Sequence, residues 1–317
     1  MNDKNKALDH FGGPEKLLEV EVAGVKFKNP VIAASGCYGF GLEYKDFYPP
    51  EILGGISLKG MTFEPRPGNP PPRVAETRSG MLNSVGLQNP GVEQFLKDYL
   101  PLIKNSGTVL IANAAGSTVS DYCALVERLS ESCIEMIELN ISCPNVKKGG
   151  AAFGVSCEGA TEIVPAVRKV CKKPLMVKLS PNVTSITDIA KAAEASGADA
   201  ISLINTLLGM RIDTKTRRPV LKNNVGGLSG PAVFPVAVRM VWQVANSVKI
   251  PVVGLGGIET AENAIEMMMA GASAVQVGTA LFSDPMAPKK IVDGMGQYIA
   301  DGHAKRIRDI TGTVAPW

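Results

Sequence analysis

Eight short β-rich runs, each handing over to polar or glycine residues and then to a helical stretch, constrain this chain more than any other feature. They read "PVIAASG" (30–36), "ISLKG" (56–60), "VLIANAAG" (109–116), "IELNIS" (137–142), "LMVKLS" (175–180), "AISLINT" (200–206), "VVGLGG" (252–257) and "AVQVGT" (274–279). Helical periodicity lies between most of them, at 118–131, 159–171, 187–196, 232–246 and 260–270. The junctions "SGADAI" (196–201) and "AGASAV" (270–275) close a helix with glycine and reopen a strand. Eight strands alternating with helices favour a closed (β/α)8 TIM barrel over an open sheet. The stretch "LLEVEVAGVKFKN" (17–29) predicts an N-terminal hairpin covering the barrel bottom. Residues 1–317 are expected to form one α/β barrel domain, with 1–16 a polar N-terminal segment and 285–317 a C-terminal helix and tail.

Composition removes several classes of function. A length of 317 residues, 45% of them apolar, is ample for one large core. A net charge of +3, with no dense Lys/Arg block, argues against nucleic acid. There is no apolar run of about 18 residues to span a membrane. The opening "MNDKNKALDHFGGPEK" lacks the apolar core of a signal peptide. The six cysteines (37, 123, 133, 143, 157 and 171) contain no C-x-x-C pair, against a disulfide framework or a local zinc or iron–sulfur site. A reduced, soluble, cytoplasmic protein without a bound metal is expected.

Barrels of this kind keep their active site at the C-terminal ends of the strands. Those ends carry Ser35, Lys59, Asn113, Asn140, Lys178, Asn205, Gly256-Gly257 and Gly278-Thr279. One Asn or Lys there can be a structural hydrogen bonder, but three Asn and two Lys at matching points of the strands imply a polar pocket. Three connections, 61–92, 143–158 and 207–231, exceed what a minimal barrel needs and read as lids or binding elements on that face. The proline run 65–72 reads as a rigid spacer, and Asn83 within "MLNSVGLQNP" as pocket lining. Gly256-Gly257 and Gly278-Thr279, each before a helix, suit a phosphate group; Gly230 could add another amide. Met267-Met268-Met269 reads as core packing.

The two histidines, His10 and His303, lie near the chain ends, so the usual neutral-pH base is not expected in the pocket. Lys59, Lys178 and Cys143 are the candidates that remain. The lysines are better used as fixed positive charges, whereas a thiolate can act as base or nucleophile if its surroundings adjust its pKa. Cys143 sits just past a strand end and heads a Gly-rich segment. The other five cysteines read as inert.

Across nearly the whole length, the chain resembles the FMN-containing catalytic subunit of class 1B dihydroorotate dehydrogenases. The resemblance is carried by "NPVIAASGCYGFG", "GNPPPRVAETRSGMLNSVGLQNPG", "IELNISCPNVKKGGAAFG", "VKLSPNV", "INTLLGMRID", "GGLSGPAV" and "GLGGIETAENAIEMMMAGASAVQVGTALF"; the C-terminal tail matches loosely. It departs at Gly60, where relatives carry a different small residue. The resemblance implies oxidation of (S)-dihydroorotate to orotate in de novo pyrimidine (UMP) biosynthesis, with Cys143 as general base and hydride transfer to flavin N5. It implies substrate contacts from Lys59, Asn83, Ser84, Val85, Gly86, Leu87, Asn140, Asn145, Asn205 and Thr206. For FMN it implies Ser35, Lys59, Gly60, Asn113, Asn140, Lys178, Ile204, Gly230, Gly256, Gly257, Gly278 and Thr279, with Lys178 near the pyrimidine end of the ring. Electrons would reach NAD+ through a partner subunit carrying FAD and a [2Fe-2S] cluster, around a homodimer core of a heterotetramer. Class 2 enzymes carry an N-terminal helical segment and a serine base, neither found here. A class 1A-like homodimer using fumarate, and a flavin-free phosphate-binding isomerase or lyase barrel, stand as alternatives.

Overall fold

The computed structural model describes residues 14–142 and 153–317. Eight parallel strands close into a barrel: β1 (Val31–Ala33), β2 (Gly55–Ser57), β3 (Val109–Ala114), β4 (Met136–Asn140), β5 (Leu175–Lys178), β6 (Ala200–Leu203), β7 (Val252–Leu255) and β8 (Ala274–Val277). Each pairs with its neighbours in sequence, and β8 returns to β1 through Val275↔Val31 and Val277↔Ala33. The strands are almost wholly buried because helices cover them outside and side chains fill them inside, which explains their Val/Ile/Leu/Ala-rich runs. They stop earlier than the apolar runs that announce them. The "PVIAASG" strand ends at Ala33 and the "AISLINT" strand at Leu203, so residues past those points lie in loops.

Outside the barrel run α1 (Val119–Ser130), α2 (Cys157–Val170), α3 (Ile186–Ala195), α4 (Phe234–Ala245), α5 (Ala261–Met269) and α6 (Ala287–Ala300). Local chemistry sets their starts. Thr118 Oγ1 accepts from the Asp121 amide while Asp121 accepts from the Thr118 amide, a reciprocal cap for α1. Thr260 and Asn263 repeat the device at α5. The α6 helix gives the C-terminal segment a regular element that packs on α5.

Two of the long connections, expected as lids or binding elements, join in one folded element. Strands Val74–Thr77 and Gly80–Asn83 from the first and Leu207–Gly209 and Gly226–Ser229 from the second form a four-stranded antiparallel sheet. Gly227↔Asn83 and Leu228↔Leu82 join the two connections. The proline run is fastened as well: the Arg66 and Asn89 backbones exchange hydrogen bonds of 2.9 and 3.0 Å.

The barrel bottom is closed by the expected hairpin, Val20–Val22 with Val25–Phe27. Phe27, 1% exposed, lies against Gly55 at the start of β2, where a Cβ would stand 2.9 Å from its ring. Next to it the Asn29 carboxamide accepts from the Val31 and Gly54 amides (3.1 and 3.0 Å) and donates to the Ile52 carbonyl (2.8 Å), tying β1 to β2. Truncating Phe27→Ala should remove about 3 kcal/mol of stability, the usual scale for an emptied aromatic site. Urea unfolding should show the lower midpoint, and a loss below about 1 kcal/mol would mean that the hairpin does not plug the barrel.

Candidate active site

The barrel axis holds a carboxylate. Glu138, on β4 and 0% exposed, points inward among side chains from five other strands. Its Oε2 accepts from Ser57 Oγ at 2.8 Å and Asn113 Nδ2 at 2.6 Å; its Oε1 accepts from Ser202 Oγ at 2.9 Å and Gln276 Nε2 at 2.7 Å. Lys178 Nζ stands 3.6 Å from Oε2 and is itself only 5% exposed. Burial works to raise the Glu138 pKa, but the Lys178 charge and the hydrogen bonds from Gln276, Asn113 and Ser57 outweigh it and hold the carboxyl below its ordinary value.

From this anion a chain of polar groups runs toward the mouth. Asn140 Nδ2 donates to Asn113 Oδ1 at 3.1 Å. Asn140 Oδ1 accepts from the Ser142 hydroxyl at 3.0 Å, and that hydroxyl accepts from Asn205 Nδ2 at 2.8 Å. Tyr122, buried on α1, donates to the Asn140 carbonyl at 2.8 Å and fixes the end of β4. Period-2 alternation explains why Glu138 and Asn140 both face inward.

The cavity at the C-terminal ends of the strands gathers Ser35, Lys59, Gly60, Asn113, Asn140 and Lys178 on its barrel side. Ile204, Asn205, Thr206, Gly256, Gly257, Gly278 and Thr279 continue that wall. The four-stranded sheet supplies Asn83, and the turn after it supplies Val85, Gly86 and Leu87. Two expected contacts stand apart from the wall: Ser84 is fully buried behind it, and Gly230 lies behind Gly257. Cys143 and Asn145 lie outside the described residues. Residues the sequence reading passed over are Glu138, Ser57, Ser202 and Gln276. The available signal was polarity at inward-facing positions of otherwise apolar strands, with Glu138 two residues before Asn140.

The loop after Asn83 is held firmly. Asn89 Nδ2 donates to the Leu87 carbonyl (2.7 Å) and Thr62 Oγ1 (2.8 Å), and Asn69 Nδ2 donates to the Ser84 carbonyl (2.9 Å). Leu87 takes a left-handed backbone (φ 57°), a conformation that side chains with a Cβ adopt at some expense. At the opposite end Gly257 (φ 74°) packs so closely that a Cβ would stand 2.8 Å from the Gly230 carbonyl. Lys59 has its pKa lowered, first by burial and then by the Arg73 charge, against the opposing charge of Glu43. The Cys37 thiol, also in the wall, is pushed up to about 11 by burial, despite Lys178 and Lys59, and is protonated at neutral pH. Among the described residues no group of three or more His, Cys, Asp or Glu could hold a metal ion, and no helix is long and apolar enough to cross a membrane.

Fold and cavity together define a (β/α)8 barrel protein with a pocket lined by asparagine, lysine and glycine residues at the C-terminal ends of its strands. The family profile described as "Dihydroorotate dehydrogenase" matches residues 17–299. The chain is 55% identical over 293 residues to "Dihydroorotate dehydrogenase B (NAD(+)), catalytic subunit" of Alkaliphilus oremlandii, covering 92% of this chain and 97% of the relative. It is 54% identical over 298 residues to the protein of the same description from Bacteroides thetaiotaomicron, covering 94% and 98%. A solved structure, "Crystal structure of DHODH in complex with ferulenol from Eimeria tenella", superposes with a TM-score of 0.78 at 22% identity over 93% of this chain and 88% of that one, a likeness of fold. The chain belongs to the dihydroorotate dehydrogenase family.

Glu138 has a consequence for acid stability. Its folded pKa lies below the unfolded value of 4.5, so the ionised form contributes stability above about pH 4.5 that is lost as pH falls through the folded value. Glu138→Gln, which strands a buried Lys178, should cost about 3 kcal/mol at neutral pH, with a gap to the parent that narrows as pH drops below 4.5. Urea midpoints from pH 7 to pH 3 measure the gap; a constant gap would mean that folding does not lower the Glu138 pKa.

Proposed function

We propose that the chain oxidises (S)-dihydroorotate to orotate in pyrimidine biosynthesis, using FMN held in the barrel cavity. The observation that carries this reading is the joining of two ends in one cavity: Lys59, Asn83, Asn140, Asn205 and Thr206 at one, Gly256-Gly257 and Gly278-Thr279 at the other. It is supported by relatives above 50% identity that bear the name of a dihydroorotate dehydrogenase catalytic subunit.

The described residues fit FMN. Gly257 keeps a left-handed turn where a side chain would collide with Gly230, leaving backbone free to approach a phosphate. Gln276 offers a buried carbonyl oxygen without a hydrogen-bond partner among the described residues, and Lys178 a buried positive charge, to a ring that carries N–H and C=O groups. Ser35, Gly60, Asn113 and Ile204 complete the wall on that side. When bound, FMN supplies the acceptor for the hydride leaving the substrate ring.

The chain's own residues do the rest. Orotate-like rings present a carboxylate and alternating N–H and C=O edges, and an asparagine carries both a donor and an acceptor. Asn83, Asn140 and Asn205 are the contacts proposed for those edges; Lys59 pairs with the carboxylate or faces the flavin. Cys143 follows Ser142, whose hydroxyl links Asn140 and Asn205, and is the proposed base that takes the proton from the ring carbon next to the one losing hydride. Lys178 would hold its positive charge beside the ring of a bound FMN, where it would favour electron uptake. A separate partner subunit carrying FAD and [2Fe-2S] passes the electrons to NAD+, with a homodimer of this chain as the core of the assembly.

Cys143→Ala should retain bound flavin yet slow its reduction by dihydroorotate by about 10² or more in stopped flow. Reduction at the parental rate would refute the assignment. Gly257→Ala should lower FMN content without affecting Cys143 chemistry in the fraction still loaded; full FMN content would remove this loop from the phosphate site.

A further inference from the structure

The interior network of the barrel stops short at Gln276. Its Nε2 donates to Glu138 at 2.7 Å, while its Oε1 is buried in the cavity wall with no hydrogen-bond partner among the described residues. Buried acceptors are almost always satisfied, so an unpaired one facing a cavity points to a donor on a ligand.

Its direction is imposed from the barrel axis. An ionised carboxylate only accepts hydrogen bonds, so every neutral neighbour of Glu138 must turn a hydrogen toward it. For an amide this choice sends the carbonyl the other way. Asn113 gives its NH2 group to Glu138, and its carbonyl accepts from Asn140 at 3.1 Å. Gln276 gives its NH2 group to the other carboxylate oxygen, and its carbonyl, turned away from that carboxylate, is left without a partner among the described residues in a side chain that lines the cavity. Lys178, at 3.6 Å, balances the charge and lines the same wall. An acceptor-only group at the centre thus gives each amide beside it a single orientation.

We propose that Glu138 is a positioning residue that sets the donor–acceptor polarity of the cavity floor, so that Gln276 Oε1 accepts a hydrogen bond from the imide N–H of a bound ring. The inference rests on the FMN reading and adds which edge of the ring meets the barrel axis and what holds the polarity there. Imides occur on both the flavin and the dihydroorotate ring. The flavin is the source assigned here, because Gln276 lies on β8 at 1% exposure, beside the Glu138 anion rather than among the Asn83 and Asn205 loops.

The test uses the full chain stripped of flavin and titrated with FMN by fluorescence quenching, then, once loaded, titrated with orotate. Gln276→Leu should raise the FMN dissociation constant about tenfold, the equivalent of one good hydrogen bond, and leave orotate affinity at the parental value. The exchange Glu138→Gln with Gln276→Glu keeps one carboxylate and one amide in contact, so its melting temperature should recover relative to Glu138→Gln alone. It also puts an anion against the ring edge, so FMN should still bind at least about tenfold more weakly and the bound flavin's midpoint potential should fall below the parent's. Recovery of FMN affinity and potential together with the melting temperature would reduce Glu138 to a structural role and overturn the proposal. Loss of orotate affinity alone in Gln276→Leu would overturn it as well, by assigning the imide to the substrate. Should the exchange variant not fold, FMN affinity of Gln276→Leu decides: parental affinity overturns the proposal. A parent chain that takes up no FMN removes the functional reading first, and this inference with it.

Discussion

A carboxylate at the centre of a closed barrel is expensive, and the contacts that offset its desolvation organise this molecule. Glu138 is held by donors on β2, β3, β6 and β8 and by the Lys178 ammonium on β5, so six of the eight strands, its own included, contribute to one anion. Burying either charge alone costs several kcal/mol, whereas the pair with its satisfied hydrogen bonds tolerates the interior. Barrel closure makes this possible, because it brings side chains far apart in sequence, such as Ser57 and Gln276, to within hydrogen-bond reach of one group. The pair also seats the Lys178 side chain, 5% exposed, in the cavity wall.

The mouth of the barrel is shaped by a second, non-local device. Connections after β2 and β6 pair strand to strand through Gly227↔Asn83 and Leu228↔Leu82, which places Asn83 and Thr206 on the same cavity. Asn69 and Asn89 then pin the turn from Ser84 to Leu87 with side-chain bonds to backbone carbonyls. The pocket is therefore lined on one side by barrel strands and on the other by a sheet, and its shape depends on both.

The barrel was legible because a parallel strand between helices leaves a local trace: a short β-branched run, a polar end and a capped helix. Asn113, Asn140 and Lys178 were legible as polar residues at strand ends. The four-stranded sheet was not, because its pairing joins segments more than a hundred residues apart and the proline- and glycine-rich composition of 61–92 resembles a loop. Glu138 escaped for a related reason. An acid in "IELNIS" has no local mark of being buried, and its five partners come from the whole barrel. Ser84 was grouped with its neighbours in "LNSVG", but alternation turns it away from the cavity that Asn83 and Val85 line.

The central claim is that one cavity brings a flavin and dihydroorotate together. Its most direct measurement is the absorbance spectrum of the purified chain without oxygen, before and after dihydroorotate is added. A flavin band near about 450 nm that bleaches on addition is the expected result. A colourless protein, or a yellow one whose band persists with dihydroorotate in excess, would contradict the account.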